Sequence, residues 1–189
     1  MNEYSEVEFK YKADNIKLSD FRYFLSPYAE KTLEVSSWDV YFVSETKADS
    51  FQRLRLSEKP ELTRKQKTNE NNNWVRTEVD LPLDRDRLTE ELVEKFVGLG
   101  GYRRNFKIFK SCIVYWIGYV NYVYYIVYDE ELKELGRYIE VEINKEKVKE
   151  LSLTNNLDSV INEAEGLLSR LGISPQNRMK KSLFELYRK

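Results

Sequence analysis

The sequence predicts an α+β fold, an eight-stranded closed antiparallel β tunnel with helices packed outside. Three observations carry that reading. Segments that alternate charged and apolar residues outnumber the helical segments. Five of those segments carry one charged face and one largely apolar face. Crossover helices are too few for a parallel sheet. If helices cover the apolar faces, the charged faces line an interior, and closing the sheet removes its edges.

Each element follows from its pattern. The first strand, 3–12, holds Glu6-Val7-Glu8-Phe9-Lys10-Tyr11-Lys12, whose period of two puts Glu6, Glu8, Lys10 and Lys12 on one face. A helix is expected near 16–25 and a second strand over 32–43. The third strand, 50–57, carries Arg53 and Arg55 on one face. The fourth, 61–68, carries Thr63, Lys65 and Lys67, and the fifth, 74–81, carries Arg76, Glu78 and Asp80. Asn69 to Asn73 reads as the hairpin loop between those two. A helix near 85–98 shows Leu88, Leu92 and Phe96 at four-residue steps and stops at Gly100-Gly101. The sixth and seventh strands, 103–116 and 119–129, are rich in tyrosine, and the eighth, 137–144, alternates Tyr138, Glu140 and Glu142 with Ile139, Val141 and Ile143. A helix over 156–171 gathers Val160, Ile161, Ala164, Leu167, Leu168 and Leu171 on one face. Ser174-Pro175 supplies a cap and first-turn proline for a last helix over 176–187. No repeat or boundary interrupts the pattern, so residues 1–189 read as a single domain.

The interior then has a basic and an acidic wall. Lys10, Lys12, Arg53, Arg55, Lys65, Arg76 and Lys110 suit phosphate oxygens, the guanidinium fork binding two at once. Glu6, Glu8, Glu78, Asp129, Glu140 and Glu142 suit a hard divalent cation such as magnesium or manganese. Together they describe a site for a polyphosphate carried with metal.

Composition narrows the chemistry. There is no histidine, so Ser-His or Cys-His catalysis and a His-ligated zinc site are excluded. Cys112 is the lone cysteine, which fits a reducing cytoplasm. A formal net charge of -1 argues against an extended nucleic-acid surface. No apolar run reaches the ~20 residues of a membrane span. Tyr115, Trp116, Tyr119, Tyr122, Tyr124, Tyr125 and Tyr128 read first as packing or a homodimer surface, and second as a stacking wall for a ring.

These residues resemble the CYTH superfamily, the triphosphate tunnel metalloenzymes. Glu6-x-Glu8-x-Lys10 resembles the family's N-terminal signature. Asp39-Val40-Tyr41-Phe42, Arg53-Leu54-Arg55, Leu62-Thr63-Arg64-Lys65 and Arg76-Thr77-Glu78 are similar to its D-x-Y-F, L-R-x-R, L-T-x-K and R-x-E. Leu135-Gly136-Arg137-Tyr138-Ile139-Glu140-Val141-Glu142 is similar to its L-G-x-F-x-E-I-E, and Lys181 to Leu186 resembles a segment of the cyclase-like branch. The resemblance implies that Glu6 and Glu8 ligate metal, that Glu140 and Glu142 lie beside them, and that Glu78 serves a second ion. It implies that Lys10, Arg53, Arg55, Lys65 and Arg76 grip a triphosphate, with Glu6, Glu8, Lys10 and Glu78 catalytic. The sequence departs from the family where Cys112 stands at the position of a sixth-strand arginine and where the seventh strand, Tyr122 to Asp129, has no basic residue.

The first functional expectation is a metal-dependent phosphohydrolase acting on inorganic, nucleoside or thiamine triphosphate. The alternatives are a class IV adenylyl cyclase, making cyclic AMP and pyrophosphate from ATP, and a non-catalytic nucleotide-binding or sequestering protein.

Overall fold

The computed structural model describes residues 2–47, 50–67, 75–154 and 157–189. Its elements are β1 (Asn2–Lys12), α1 (Leu18–Leu25), β2 (Lys31–Ser44), β3 (Phe51–Leu56), β4 (Glu61–Lys67), β5 (Val75–Pro82), α2 (Glu90–Leu99), β6 (Tyr102–Ile117), β7 (Val120–Tyr128), β8 (Glu134–Ile143), α3 (Lys145–Thr154), α4 (Leu157–Ser169) and α5 (Leu183–Tyr187). The eight strands pair antiparallel in the order β1-β5-β4-β3-β2-β6-β7-β8, and β8 returns to β1. The ring is uneven. β1 pairs with β5 over Asn2 to Val7 and with β8 over Val7 to Lys12. β2 pairs with β6 from Lys31 onward, but its pairing with β3 begins only at Trp38. The first half of β2 therefore overhangs the ring on one side.

The alternation read from the sequence decides what faces out. Phe9 and Tyr11 of β1, Tyr122 and Tyr124 of β7, and Ile139, Val141 and Ile143 of β8 are buried outside the barrel. Phe21 and Leu25 of α1, Leu151 of α3, and Ile161, Ala164 and Leu168 of α4 cover them. A second outer cluster puts Val93 and Val97 of α2 on Val40, Phe42, Leu54 and Leu62. The tight β6–β7 turn holds Gly118 at φ +57, where a Cβ would be strained. Among the described residues no helix is long and apolar enough to cross a membrane.

Three expectations about helices need correcting. The buried face of α2 is Val93 and Val97, which pack on β2, β3 and β4, while Leu92 and Phe96 are exposed. The segment Lys145–Thr154 is helical, unforeseen because its periodicity is weak; Leu151 anchors it. The continuous helix expected over 176–187 is broken. Ser174 and Pro175 start only a short 3-10 turn, Pro175–Asn177. Arg178 then bridges to Tyr11 in extended form, and Met179 donates its N–H to the carbonyl of Lys10 at 2.7 Å. Ser182 and Glu185 form a capping box that starts α5 afresh.

That last helix does not lie outside. Leu183 and Phe184 pack on the inward-facing Tyr41, Phe106, Tyr125 and Tyr138. Phe184 stacks on Phe51 with ring centroids 4.3 Å apart, and Tyr41 stacks on Phe106 at 4.4 Å. The barrel interior thus has an aromatic floor.

Candidate functional site

A cavity of about 410 Å³ lies above that floor. The strand period brings Glu8 and Lys10 of β1, Arg53 and Arg55 of β3, Lys110 of β6, and Glu140 and Glu142 of β8 to its wall. The volume is that of a small-molecule site.

Each charge is held. Lys10 lies 2.7 Å from Glu140 and 3.3 Å from Glu8, so one ammonium spans two carboxylates. Glu8 and Glu142 face each other across the β1–β8 ladder. The hydroxyl of Tyr125 donates to Glu140 at 2.7 Å; burial, and then the Glu140 charge, push its pKa well up, so it stays a donor. Arg55 donates to Asp39 at 3.2 Å and to Glu61 at 3.1 Å. Lys110 reaches Asp39 at 2.6 Å. Arg53 donates to the hydroxyl of Thr63 at 3.1 Å, and that hydroxyl donates to Asp80 at 2.9 Å. Asp39 is fully buried. Burial alone would raise its carboxyl, but Lys110, Arg55 and Arg53 outweigh that and hold it well below the usual range. Lys110 is lowered by burial in spite of Asp39.

From the sequence, Thr63 and Asp80 fall on inward faces and Tyr125 in the stacking-wall reading of the tyrosine stretch, without a role in the site, and Asp39 and Glu61 are given none. The same period of two was the available signal, since Asp39 shares parity with Ser37 and Tyr41, and Glu61 with Thr63.

Two expected residues stand elsewhere. Lys12 ends β1, and its long side chain reaches solvent and pairs with Asp14 at 2.8 Å, so it does not line the cavity. Asp129 sits in the β7–β8 turn, where its carboxylate accepts the N–H groups of Glu131 and Lys133. It caps that turn and lies away from the acidic wall. The side chains of Glu6, Lys65, Arg76 and Glu78 lie outside the described residues. Their backbones are in register as Glu6 with Arg76 and Lys65 with Glu78.

Of the aromatic stretch, only Trp116 and Tyr125 line the cavity. Tyr115, Tyr122 and Tyr124 pack under the helices. Cys112 lines the wall beside Tyr125, and burial pushes its thiol up to about 11, so it is neither a charge nor a nucleophile near neutral pH.

The fit of a cation follows from the donors. Among the described residues no group of three or more acidic or cysteine side chains forms a ready-made metal cage. Glu8, Glu140 and Glu142 nevertheless offer only hard oxygen donors on one wall. Magnesium is commonly held by one or two carboxylates together with substrate phosphates, and this wall suits that mode.

No protein-family model matches the chain, and no curated protein does. Solved structures do. A Pyrococcus horikoshii OT3 protein is 20% identical, with a TM-score of 0.70 over 96% of this chain and 97% of its own. A conserved hypothetical protein from Pyrococcus furiosus is 26% identical, with a TM-score of 0.67 over 96% and 99%. A candidate adenylate cyclase from Vibrio parahaemolyticus is 12% identical, with a TM-score of 0.66 over 96% of each chain. These likenesses run over nearly the whole length of each chain and are likenesses of fold.

Proposed function

We propose that the cavity binds a triphosphate-bearing small molecule and hydrolyses it with magnesium or manganese. One observation carries the reading: Lys10, Arg53, Arg55 and Lys110 converge on a cavity whose adjoining wall presents Glu8, Glu140 and Glu142. Arg55 and Lys110 would meet phosphate oxygens with their remaining N–H donors while Asp39 keeps both in place, charge-assisted bonds of the kind guanidinium and ammonium groups make to phosphate. Arg53, braced by Thr63, keeps its fork aimed while the ligand enters. Lys10 sits where the basic and acidic walls meet and orients the phosphate chain between them.

The cation would be held by Glu8, Glu140 and Glu142, with Glu6 and Glu78 completing the set. When bound, it supplies charge neutralisation on the phosphates and activation of water. With Cys112 as the lone cysteine the chain has no intrachain disulfide, which fits a reducing, cytoplasmic setting.

A second reading is a class IV adenylyl cyclase. It is favoured by the Ser182 to Leu186 segment, which resembles the cyclase-like branch and whose Ser182, Leu183 and Phe184 form part of the cavity wall. A product assay separates the readings. The protein is incubated with inorganic triphosphate, ATP and thiamine triphosphate, each with magnesium or manganese. Orthophosphate release is the expected outcome, abolished in Glu8→Gln while the fold survives. Cyclic AMP with pyrophosphate would establish the cyclase. Binding without product would leave a sequestering protein, and full activity of Glu8→Gln would sink the metal assignment.

A further inference from the structure

The cavity has a third wall that the phosphate grip does not use. Leu33 and Val35 of β2, Val114 and Trp116 of β6, and Val123 of β7 all line it. They form one patch, because the registers join them. Leu33 pairs with Val114, and Val114 with Val123, which pairs in turn with Glu140. Glu140 then pairs with Lys10. A single row of neighbouring positions thus runs from charged to wholly apolar around the inner wall.

This wall extends beyond the complete barrel. Leu33 and Val35 belong to the part of β2 that lacks a β3 neighbour, and they remain 46% and 36% exposed. Apolar side chains on a solvated, inward-facing wall are unfavourable unless something apolar covers them. In the neighbouring row nearer the rim, Lys31 pairs with Trp116, its ammonium 5.2 Å from the indole ring.

We infer that the ligand is amphiphilic: a phosphoester of an apolar, chain-like alcohol, its phosphates against Lys10, Arg53, Arg55 and Lys110 and its chain along Leu33, Val35, Val114, Trp116 and Val123. The inference rests on the phosphate-binding reading of the same cavity. A chain fits the wall better than a nucleobase does. A base carries several donors and acceptors on its edges, each costly to bury without a partner. Among the described residues the polar side chains bordering the patch are few, Asn121 in the Trp116 row, Ser37 beyond Val35 and Glu140 beside Val123, and Glu140 is already taken by Lys10 and Tyr125. Branched aliphatic groups, by contrast, ask nothing of a chain but contact.

The test is calorimetric titration of the full chain with inorganic diphosphate, farnesyl diphosphate, inorganic triphosphate and ATP. Farnesyl diphosphate should bind at least ~10-fold more tightly than inorganic diphosphate, as burial of a few methylenes requires. Val114→Thr keeps the shape and adds a hydroxyl, and Leu33→Ser removes an exposed apolar group; each should lower that ratio ~3-fold or more. Circular dichroism verifies that the variants are folded. Equal affinities for farnesyl and inorganic diphosphate, with inorganic triphosphate still bound, would overturn the inference and leave the phosphate reading standing. A larger gain of ATP over inorganic triphosphate than of farnesyl diphosphate over inorganic diphosphate would overturn it in favour of a planar ring. No binding of any phosphate would overturn the phosphate reading, and this inference with it.

Discussion

The ammonium of Lys110 lies 2.6 Å from the carboxylate of Asp39, a side chain with no solvent exposure. Arg55 reaches the same carboxylate at 3.2 Å. One buried anion therefore sets the position of two cations assigned to phosphate. Removing one partner of such a group leaves the others buried and uncompensated. Asp39→Asn should cost about 3 kcal/mol of stability, read as a lowered midpoint in urea unfolding. A loss well under ~1 kcal/mol would mean that Lys110 and Arg55 hold their places without it.

The same residue predicts an acid limb. Its folded carboxyl titrates below its unfolded value, near ~4. The stabilisation is then fully present above that unfolded value and is lost as pH falls through the folded one. Between pH ~5 and ~2 the native chain should lose stability more steeply than Asp39→Asn. Parallel curves from the two proteins would remove Asp39 from the account.

How much of this was legible is best seen residue by residue. Glu8, Lys10, Arg53, Arg55, Glu140 and Glu142 line the cavity because a strand's period is fixed, and the alternation that reveals them is local. The overhang of β2 was not legible, because it depends on where β3 stops pairing, a property of two strands. Lys12 obeys the alternation but ends its strand, so its parity gave the face without the depth. Asp129 looked like a wall residue because it closes a strand, whereas a turn had already claimed its oxygens. The break before α5 was hidden because Arg178 answers to a glutamate on another helix.

That glutamate is Glu165. It is 5% exposed, accepts a paired fork from Arg178, and accepts the hydroxyl of Tyr11. Burial raises its carboxyl, yet the bonds from Arg178 and Tyr11 prevail and lower it. Arg178 also stacks over Phe9 at 4.3 Å. The group fastens the segment after α4 to β1, one residue from the Met179 bond to Lys10. Glu165→Gln should cost about 3 kcal/mol and expose the C-terminal segment to limited proteolysis. Unchanged cleavage at that segment would show that α5 holds it unaided.

Cys112 makes a kinetic prediction. With its thiol raised to about 11 by burial, the thiolate is a minor species at pH 8. Iodoacetamide should label it slowly, and the rate should climb ~10-fold per pH unit through pH ~10. A rate that levels off by pH ~9 would reveal a thiol close to the free value and a wetter wall than the packing around Tyr125 implies.

Phe184 separates volume from ring geometry in the cavity floor. It is 2% exposed and stacks on Phe51 with an interplanar angle of 14°. Tyr41 and Phe106, stacked on each other, lie together beside it, each with its ring centroid 6.2 Å away. Phe184→Ala removes the side chain that seals the floor and should cost about 3–5 kcal/mol. Phe184→Leu refills most of that space without a ring and should cost only ~1 kcal/mol, the usual worth of an aromatic pair beyond its buried area. Because Phe51 shares its strand face with Arg53 and Arg55, a floor that sags also shifts the guanidinium forks. The Ala variant should therefore bind inorganic triphosphate more weakly than the Leu variant, in the order of their unfolding midpoints. Equal binding by both, despite unequal stability, would mean that the basic wall is held by Asp39, Glu61 and Thr63 alone.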